Sequence, residues 1–374
     1  MKRTLAAPAA LVFLALVADA QSGASTKKPT PMSASGLTVA TSTAAPKGGA
    51  TAPVEDMRIL EGEKQDPFEL ERIGLAAANA NELDRARLFF EKAWKIGELP
   101  TAAYNVACLE ARQGRVDAAF ASLERAVGAG FDDGSSLEKD PDLAPLRGRP
   151  KWASIVSGAA RNRAAGDAAV VKEGVFIAPK ERPLAILLLL HDKGSDPFAV
   201  SNPFADAAVS HRLFIAAPRG PGRSARKRFG WGSADRAAKA IDAAIDAARR
   251  KAGNATLPIL LVGVGRGGTE AFTAAAKKAP KTFAGVASIG GPFDAGAAPS
   301  VAGLRGARLV LGSSRDADPS EIAAMRRGLE ALRQQGLSPT VLEWPGAASG
   351  FPEDVPRAVK ETLDAFAGVT PGAR

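Results

Sequence analysis

Cysteine is nearly absent from this 374-residue chain: Cys108 stands alone, so neither an intramolecular disulfide nor a cysteine-based zinc cluster can be built. Histidine is almost as scarce, with only His191 and His211, and no His-x-x-x-His pair exists to hold a metal. No metal site and no cofactor are expected on these grounds. Past the first twenty residues no apolar run reaches the length needed to cross a bilayer. Cys108 lies in Val106-Ala107-Cys108-Leu109, a helix-interior pattern in which a free thiol acts as a small buried hydrophobe.

What is present begins with an export pattern. Lys2 and Arg3 precede a short apolar stretch at 5–17, and Ala18-Asp19-Ala20 forms a cleavage-type site, so 1–20 reads as a signal peptide and the protein as exported, periplasmic or secreted. Retention of that segment as an anchor is the alternative. Residues 21–64 are rich in Ala, Ser, Thr, Pro and Lys and carry few large apolar side chains, which marks a disordered tether. The formal charge of +9 favours an anionic envelope component as partner. No basic stripe interleaved with aromatics is present, so nucleic acid is not expected. Five cations at 219–228 form a basic loop that reads as a polyanion grip, a protease-sensitive site or a solvated run.

An internal repeat occupies 65–156. Asn81-Glu82-Leu83-Asp84-Arg85-Ala86 aligns with Gly114-Arg115-Val116-Asp117-Ala118-Ala119, and the same 33-residue offset relates Phe90 to Leu123, Glu91 to Glu124 and Ala93 to Ala126. The spacing, with short side chains at Gly74, Ala86, Ala93, Ala107, Ala119 and Ala126, resembles the tetratricopeptide repeat. The segment Asp140-Pro141-Asp142-Leu143 and Trp152 read as an end cap. That resemblance implies a groove for a protein or peptide partner, or a buttress docked on the next domain.

From 168 to 369 strand-like and helix-like segments alternate, which predicts an α/β domain with a mostly parallel sheet and helices on both faces. Strands are expected at Val175, 184–190, 213–217, 257–262, 283–289, 307–311 and 340–344, with an amphipathic helix from Ala234 to Ala248. The turn Gly263-Val264-Gly265-Arg266-Gly267 follows a buried strand and precedes a helix, as does the Gly-x-Ser-x-Gly elbow of an α/β-hydrolase. Leu190-His191-Asp192-Lys193-Gly194, Ala217-Pro218-Arg219-Gly220, Trp231 with Asp235, and Ile289-Gly290-Gly291 arrive in matching order. The domain therefore resembles the dienelactone hydrolase and carboxylesterase branch of that superfamily.

The resemblance implies a serine, an acid and a histidine at three positions. Gly265 stands where the serine is required, Asp316 (or Asp318, two residues on) where the acid is, and Ser349 in Trp344-Pro345-Gly346-Ala347-Ala348-Ser349-Gly350-Phe351 where the histidine is. A serine hydrolase needs both an attacking hydroxyl and an imidazole to take its proton. With both replaced, the chain reads as a pseudo-hydrolase. Ser233, Ser288, Ser313 and Ser314 are the candidates for a relocated nucleophile. The backbone N–H groups of Gly265, Arg266 and Gly267 remain a prospective anion site, with His191, Trp231, Arg266 and Asp316 as prospective ligand-binding side chains. Isolated carboxylates such as Asp192 read as turn formers. The turn does not open a first βαβ unit, which argues against a nucleotide fingerprint. The leading reading is an exported, non-catalytic protein that binds a ligand or scaffolds a partner; an active esterase with relocated residues and a purely structural envelope protein are the alternatives.

Overall fold

The computed structural model describes residues 54–62, 65–291, 301–346 and 350–368. The signal segment and most of the tether lie outside these residues. The tether reading extends too far, however, because Val54–Glu61 forms a helix, α1. Leu60 is buried there, and the Asp56 carboxylate, 2 % exposed, receives the Arg85 guanidinium at 2.7 Å, so this stretch has the apolar and ionic contacts that a tether lacks.

Two antiparallel helix pairs follow. They are α2 (Pro67–Asn79) with α3 (Leu83–Gly97), and α4 (Pro100–Arg112) with α5 (Val116–Gly128). Small residues allow the close approach: a Cβ placed on Gly74 of α2 would lie 2.6 Å from the Phe90 ring of α3. Positive φ at Asn81 and Gly114, 61° and 74°, turns the chain between the helices of each pair, the conformation in which Asn and Gly cost least. A short helix α6 (Gly134–Lys139) and a 3₁₀ turn (Pro141–Leu146) then cap the layer. Asp140 holds that cap by accepting from the Tyr104 hydroxyl at 2.7 Å and from Asp142 N at 2.9 Å. Cys108 is fully buried, yet it is not merely a hydrophobe, since its Sγ lies 3.5 Å from the same Asp140 carboxylate.

A 21-residue helix, α7 (Trp152–Lys172), runs through the boundary expected between 156 and 168, so no linker separates the two parts. Seven strands follow: β1 (Val175–Ile177), β2 (Ala185–Leu190), β3 (Leu213–Ala217), β6 (Ile259–Val264), β7 (Gly285–Ile289), β8 (Arg308–Ser314) and β9 (Thr340–Trp344). They stand in the order β1-β3-β2-β6-β7-β8-β9, every pair parallel except β1 against β3. β2, β3, β6 and β7 are buried along their whole length, as strands covered on both faces must be. Helices α10 (Ala234–Ala252) and α11 (Arg266–Ala276) cover one face, while the short helices α8 (Pro197–Ser201) and α9 (Ala205–Ser210) and the final α13 (Val355–Asp364) cover the other. Helix α12 (Pro319–Gln334) lies between β8 and β9 in sequence. This is the strand order and layering of an α/β-hydrolase-like domain.

The basic loop is not a free run of charge. Within it a hairpin forms, β4 (Gly222–Ala225) and β5 (Arg228–Gly230), which reaches back to the helix pairs. Ala225 joins the cluster of Leu70, Phe89, Leu99 and Ala102, and Arg226 N donates to Gly97 O at 3.0 Å while its side chain pairs with Glu98 at 2.7 Å. Arg219 is spent as well, stacked over Phe229 and bonded to Glu173 at 2.8 Å.

Arg236 of α10 pins the two parts together. Its side chain is 5 % exposed, meets Asp132 and Asp167 at 2.7 Å each, and donates to Pro221 O at 3.1 Å. Removing one partner of such a buried pair leaves the other desolvated and unpaired. Arg236→Met is therefore expected to lower the unfolding free energy by about 3 kcal/mol in urea titrations. Adding Asp132→Asn is expected to recover part of that loss; simple additivity of the two substitutions would show that the pair does not couple the parts.

Candidate functional site

The site is built on the turn from β6 into α11. Gly265 has φ 53° and ψ −126°, a conformation that side chains rarely tolerate, and its N–H donates to Ile289 O at 2.8 Å. The flanking glycines are steric necessities, because a Cβ on Gly263 would sit 2.0 Å from Gly267 O and one on Gly267 would sit 2.3 Å from Leu190 O. The strained elbow geometry thus persists without the hydroxyl it serves in a serine hydrolase.

Something else fills the place of that hydroxyl. A Cβ added to Gly265 would lie 2.3 Å from Asp192 Cγ and 2.4 and 2.5 Å from its two carboxylate oxygens. Asp192 follows the end of β2 by two residues, and its Oδ1 accepts from Arg266 N at 2.7 Å and from its neighbour Lys193 N at 2.7 Å. In an acyl-transfer enzyme the N–H after the nucleophile and one from the loop after this strand stabilise the developing oxyanion. Here both donors converge on one side-chain oxygen of the protein itself. Burial pushes the Asp192 pKa up, opposed by these two N–H bonds and by the charges of Lys193 and Arg266. Asp192 is therefore no simple turn former. Of the expected anion-site donors, the Arg266 N–H is taken by Asp192 and the Gly265 N–H by Ile289 O. The sequence carried one signal of this: a carboxylate beside the oxyanion-loop position, opposite a glycine in place of serine.

Of the other predicted residues, His191, Trp231 and Arg266 lie together beside the elbow and Asp316 stands apart. His191 is fully buried; its Nε2 accepts from Gly220 N at 2.9 Å and its Nδ1 meets Asp192 O at 2.7 Å, so neither ring nitrogen is left for a ligand or a proton transfer. Desolvation brings its pKa down to about 4. Trp231 packs on that ring with centroids 4.9 Å apart and donates Nε1–H to His191 O at 2.8 Å. The Arg266 side chain turns along its own helix to Glu270 at 3.0 Å. Asp316 is exposed and clips the loop after β9, accepting from Gly346 N at 3.2 Å. Asp318, the alternative acid, caps α12 through Ser320 N at 2.7 Å. Ser349 lies outside the described residues, but the adjoining Gly350 stands against the site, where an added Cβ would come within 3.4 Å of Asp192 Oδ2.

The Ser288 hydroxyl is buried and donates to Gly291 O at 2.7 Å, and Ser233 caps α10. Ser313 and Ser314 end β8, with Ser314 buried. His211 is exposed and meets Ala207 O at 2.7 Å. Beside the closed elbow a cleft of about 790 Å³ remains, walled by Asp192, Ser195, Val264 and Phe351 of the sheet domain and by Asp66 and Phe68 of α2 and its cap.

No protein-family model matches the chain. A curated relative, a chloroplast protein of Arabidopsis thaliana, is 34% identical over 82 residues, 20% of this chain. The match spans about a quarter (24%) of that relative's length. Among solved structures, the dienelactone hydrolase of Anabaena variabilis is 21% identical, covers 53% of this chain and 94% of its own, and has a TM-score of 0.42. Esterase PE8 is 15% identical over 51% of this chain and 98% of its own, with a TM-score of 0.44. The carboxylesterase of Bacillus cereus is 17% identical over 52% of this chain and 94% of its own, with a TM-score of 0.38.

Two measurements check the site. With only two histidines in the chain, NMR titration is expected to show His191 neutral down to about pH 5, with its midpoint near 4. A depressed folded-state pKa contributes stability that is present above the unfolded value of 6.5 and is lost as pH falls through the window down to about 4, in total about 3 kcal/mol. A His191 midpoint near 6.5 would contradict the buried geometry. Separately, Gly265→Ser is expected to destabilise by about 1–3 kcal/mol through strain at positive φ and collision with Asp192. Combining it with Asp192→Gly should cost less than the sum of the two single changes.

Proposed function

We propose that this chain is an exported, non-catalytic α/β-hydrolase-fold protein that binds a ligand or scaffolds a partner in the cell envelope. The observation that carries this reading is the Asp192 carboxylate seated in the place of the nucleophile, accepting both N–H groups that would otherwise polarise an ester carbonyl. Glycine at 265 supplies no attacking atom, and the neutral, fully bonded His191 supplies no base. A tetrahedral oxyanion and the Asp192 carboxylate compete for the same two donors, so the ground state is already stabilised where catalysis requires the transition state to be.

Binding is supported by the cleft beside the elbow and by the helix pairs, whose 33-residue repeat resembles tetratricopeptide units that hold peptide or protein partners. The net charge of +9 favours an anionic envelope component. The leader-like pattern at 1–20 supports export. Among the described residues no helix is long and apolar enough to cross a membrane.

The test uses the purified protein with p-nitrophenyl acetate and butyrate. Turnover is expected to match buffer alone. Ester hydrolysis well above buffer that disappears in Asp192→Asn would overturn the reading, because Asp192 would then be acting as a relocated nucleophile or base. For the binding half, thermal-shift measurements with cell-wall fragments and short peptides are expected to find a stabilising ligand.

A further inference from the structure

A second cavity, of about 90 Å³, lies where the helix pairs meet the sheet domain, beside the closed elbow, with Lys193 and Arg266 in its wall. Its walls come from the start of α4 (Pro100, Thr101), from the β4–β5 hairpin (Arg223, Ser224, Gly230), and from Lys193 and Arg266. Trp231 forms an apolar side and Asp132 and Asp133 a polar one. The space exists because Gly230 has no side chain: a Cβ there would rest 3.8 Å from both Lys193 Cγ and Ser224 Cβ.

We infer that this cavity binds a small oxyanion, the carboxylate or phosphate group of a ligand. Three cationic side chains line it; Arg266 is paired with Glu270 at 3.0 Å, which leaves Arg223, charged at any ordinary pH, and Lys193. Arg223 has no carboxylate partner among the described residues; its Nε reaches only Ala225 O, at 3.4 Å. Of the two acids, Asp132 is paired with Arg236 at 2.7 Å, while Asp133, which caps α6 through Ser136 N and Oγ, keeps its charge, so one free carboxylate faces the two free cations. Burial pushes the Lys193 pKa down, opposed by the nearby Glu71 of α2, and burial likewise pushes the Glu71 pKa up. The positive end of the α4 helix dipole adds to the field, and its cap residue Leu99 offers no side-chain acceptor.

An independent observation points to a missing partner. The Ser224 hydroxyl is about nine-tenths buried, lines this cavity, and has no hydrogen-bond partner. A buried hydroxyl left unmade costs free energy, so such groups are normally satisfied. An oxyanion between Lys193 and the exposed Arg223 at the cavity's rim gives Ser224 an acceptor. The cavity volume admits the oxygen-bearing head group and excludes a large body, so the remainder of a ligand extends out along the junction of the two parts.

The experiment titrates the full chain with sodium phosphate and, separately, sodium acetate, each against sodium chloride at equal ionic strength, by calorimetry and thermal shift. Saturable binding of at least one oxyanion, absent with chloride, is expected. A response to phosphate alone identifies a phosphate site, to acetate alone a carboxylate site, and to both a general oxyanion site. Arg223→Gln is expected to weaken binding about tenfold or more, as loss of a charge-assisted contact does. Ser224→Ala is expected to weaken it several-fold while leaving the ligand-free melting temperature unchanged or higher, since an orphaned hydroxyl is removed. Arg228→Gln, which faces the other cleft, should bind as the parent does. Should Arg223→Gln fail to fold, Ser224→Ala and the cavity-filling Gly230→Ala decide. Absence of saturable binding by either anion, or unchanged affinity in Ser224→Ala and Arg223→Gln, overturns the inference. This outcome is separate from ester turnover, which probes the elbow.

Discussion

Two backbone N–H groups, of Lys193 and Arg266, meet on one oxygen of Asp192, and that convergence organises the centre of the molecule. It ties the end of β2 to the first turn of α11, across the sheet's central pair of strands. A glycine at 265 is its precondition, because any Cβ there would collide with the carboxylate. The missing side chain at 265 and the seating of the Asp192 carboxylate are thus a single steric condition. Flanking glycines stay because the strand, turn and helix still approach each other too closely for side chains, whatever the turn does chemically.

The carboxylate also arranges what surrounds it. The Asp192 carbonyl meets His191 Nδ1, and the His191 carbonyl receives the Trp231 indole, so a hydrogen-bonded column runs behind the elbow. A histidine held this way is a packing element, kept neutral by burial. On the other side Gly350 comes within contact range of the Asp192 carboxylate.

Outward from this centre, the β4–β5 hairpin and Arg236 join the sheet domain to the helix pairs. Ala225 enters the helical core, and Arg236 bonds carboxylates of both α7 and the loop before α6. The helix pairs are therefore a wall of the same body rather than an arm. Both cavities owe their shape to this junction: the larger is closed on one side by Phe68 of α2, the smaller by the start of α4.

Much of the architecture was legible from local pattern. Buried runs such as 185–190 and 259–264 can only be covered strands, and the 33-residue echo between Asn81 and Gly114 already placed the turns of two helix pairs. The hairpin in the basic loop was not legible, because its partners, Gly97 and Glu98, lie more than a hundred residues upstream and charge alone marks no strand. Nor was the extra helix α1, whose place is set by the distant Asp56–Arg85 pair and by the packing of Leu60 against Leu70, Phe89 and Leu99. By itself the sequence determined that the elbow position carries glycine, which has no hydroxyl, and that two histidines are available, since these are properties of the chain. Only the tertiary structure decided that the vacated place is filled, and by Asp192. That residue lies 73 positions from Gly265 along the chain, and only the parallel pairing of β2 with β6 brings the two within contact distance.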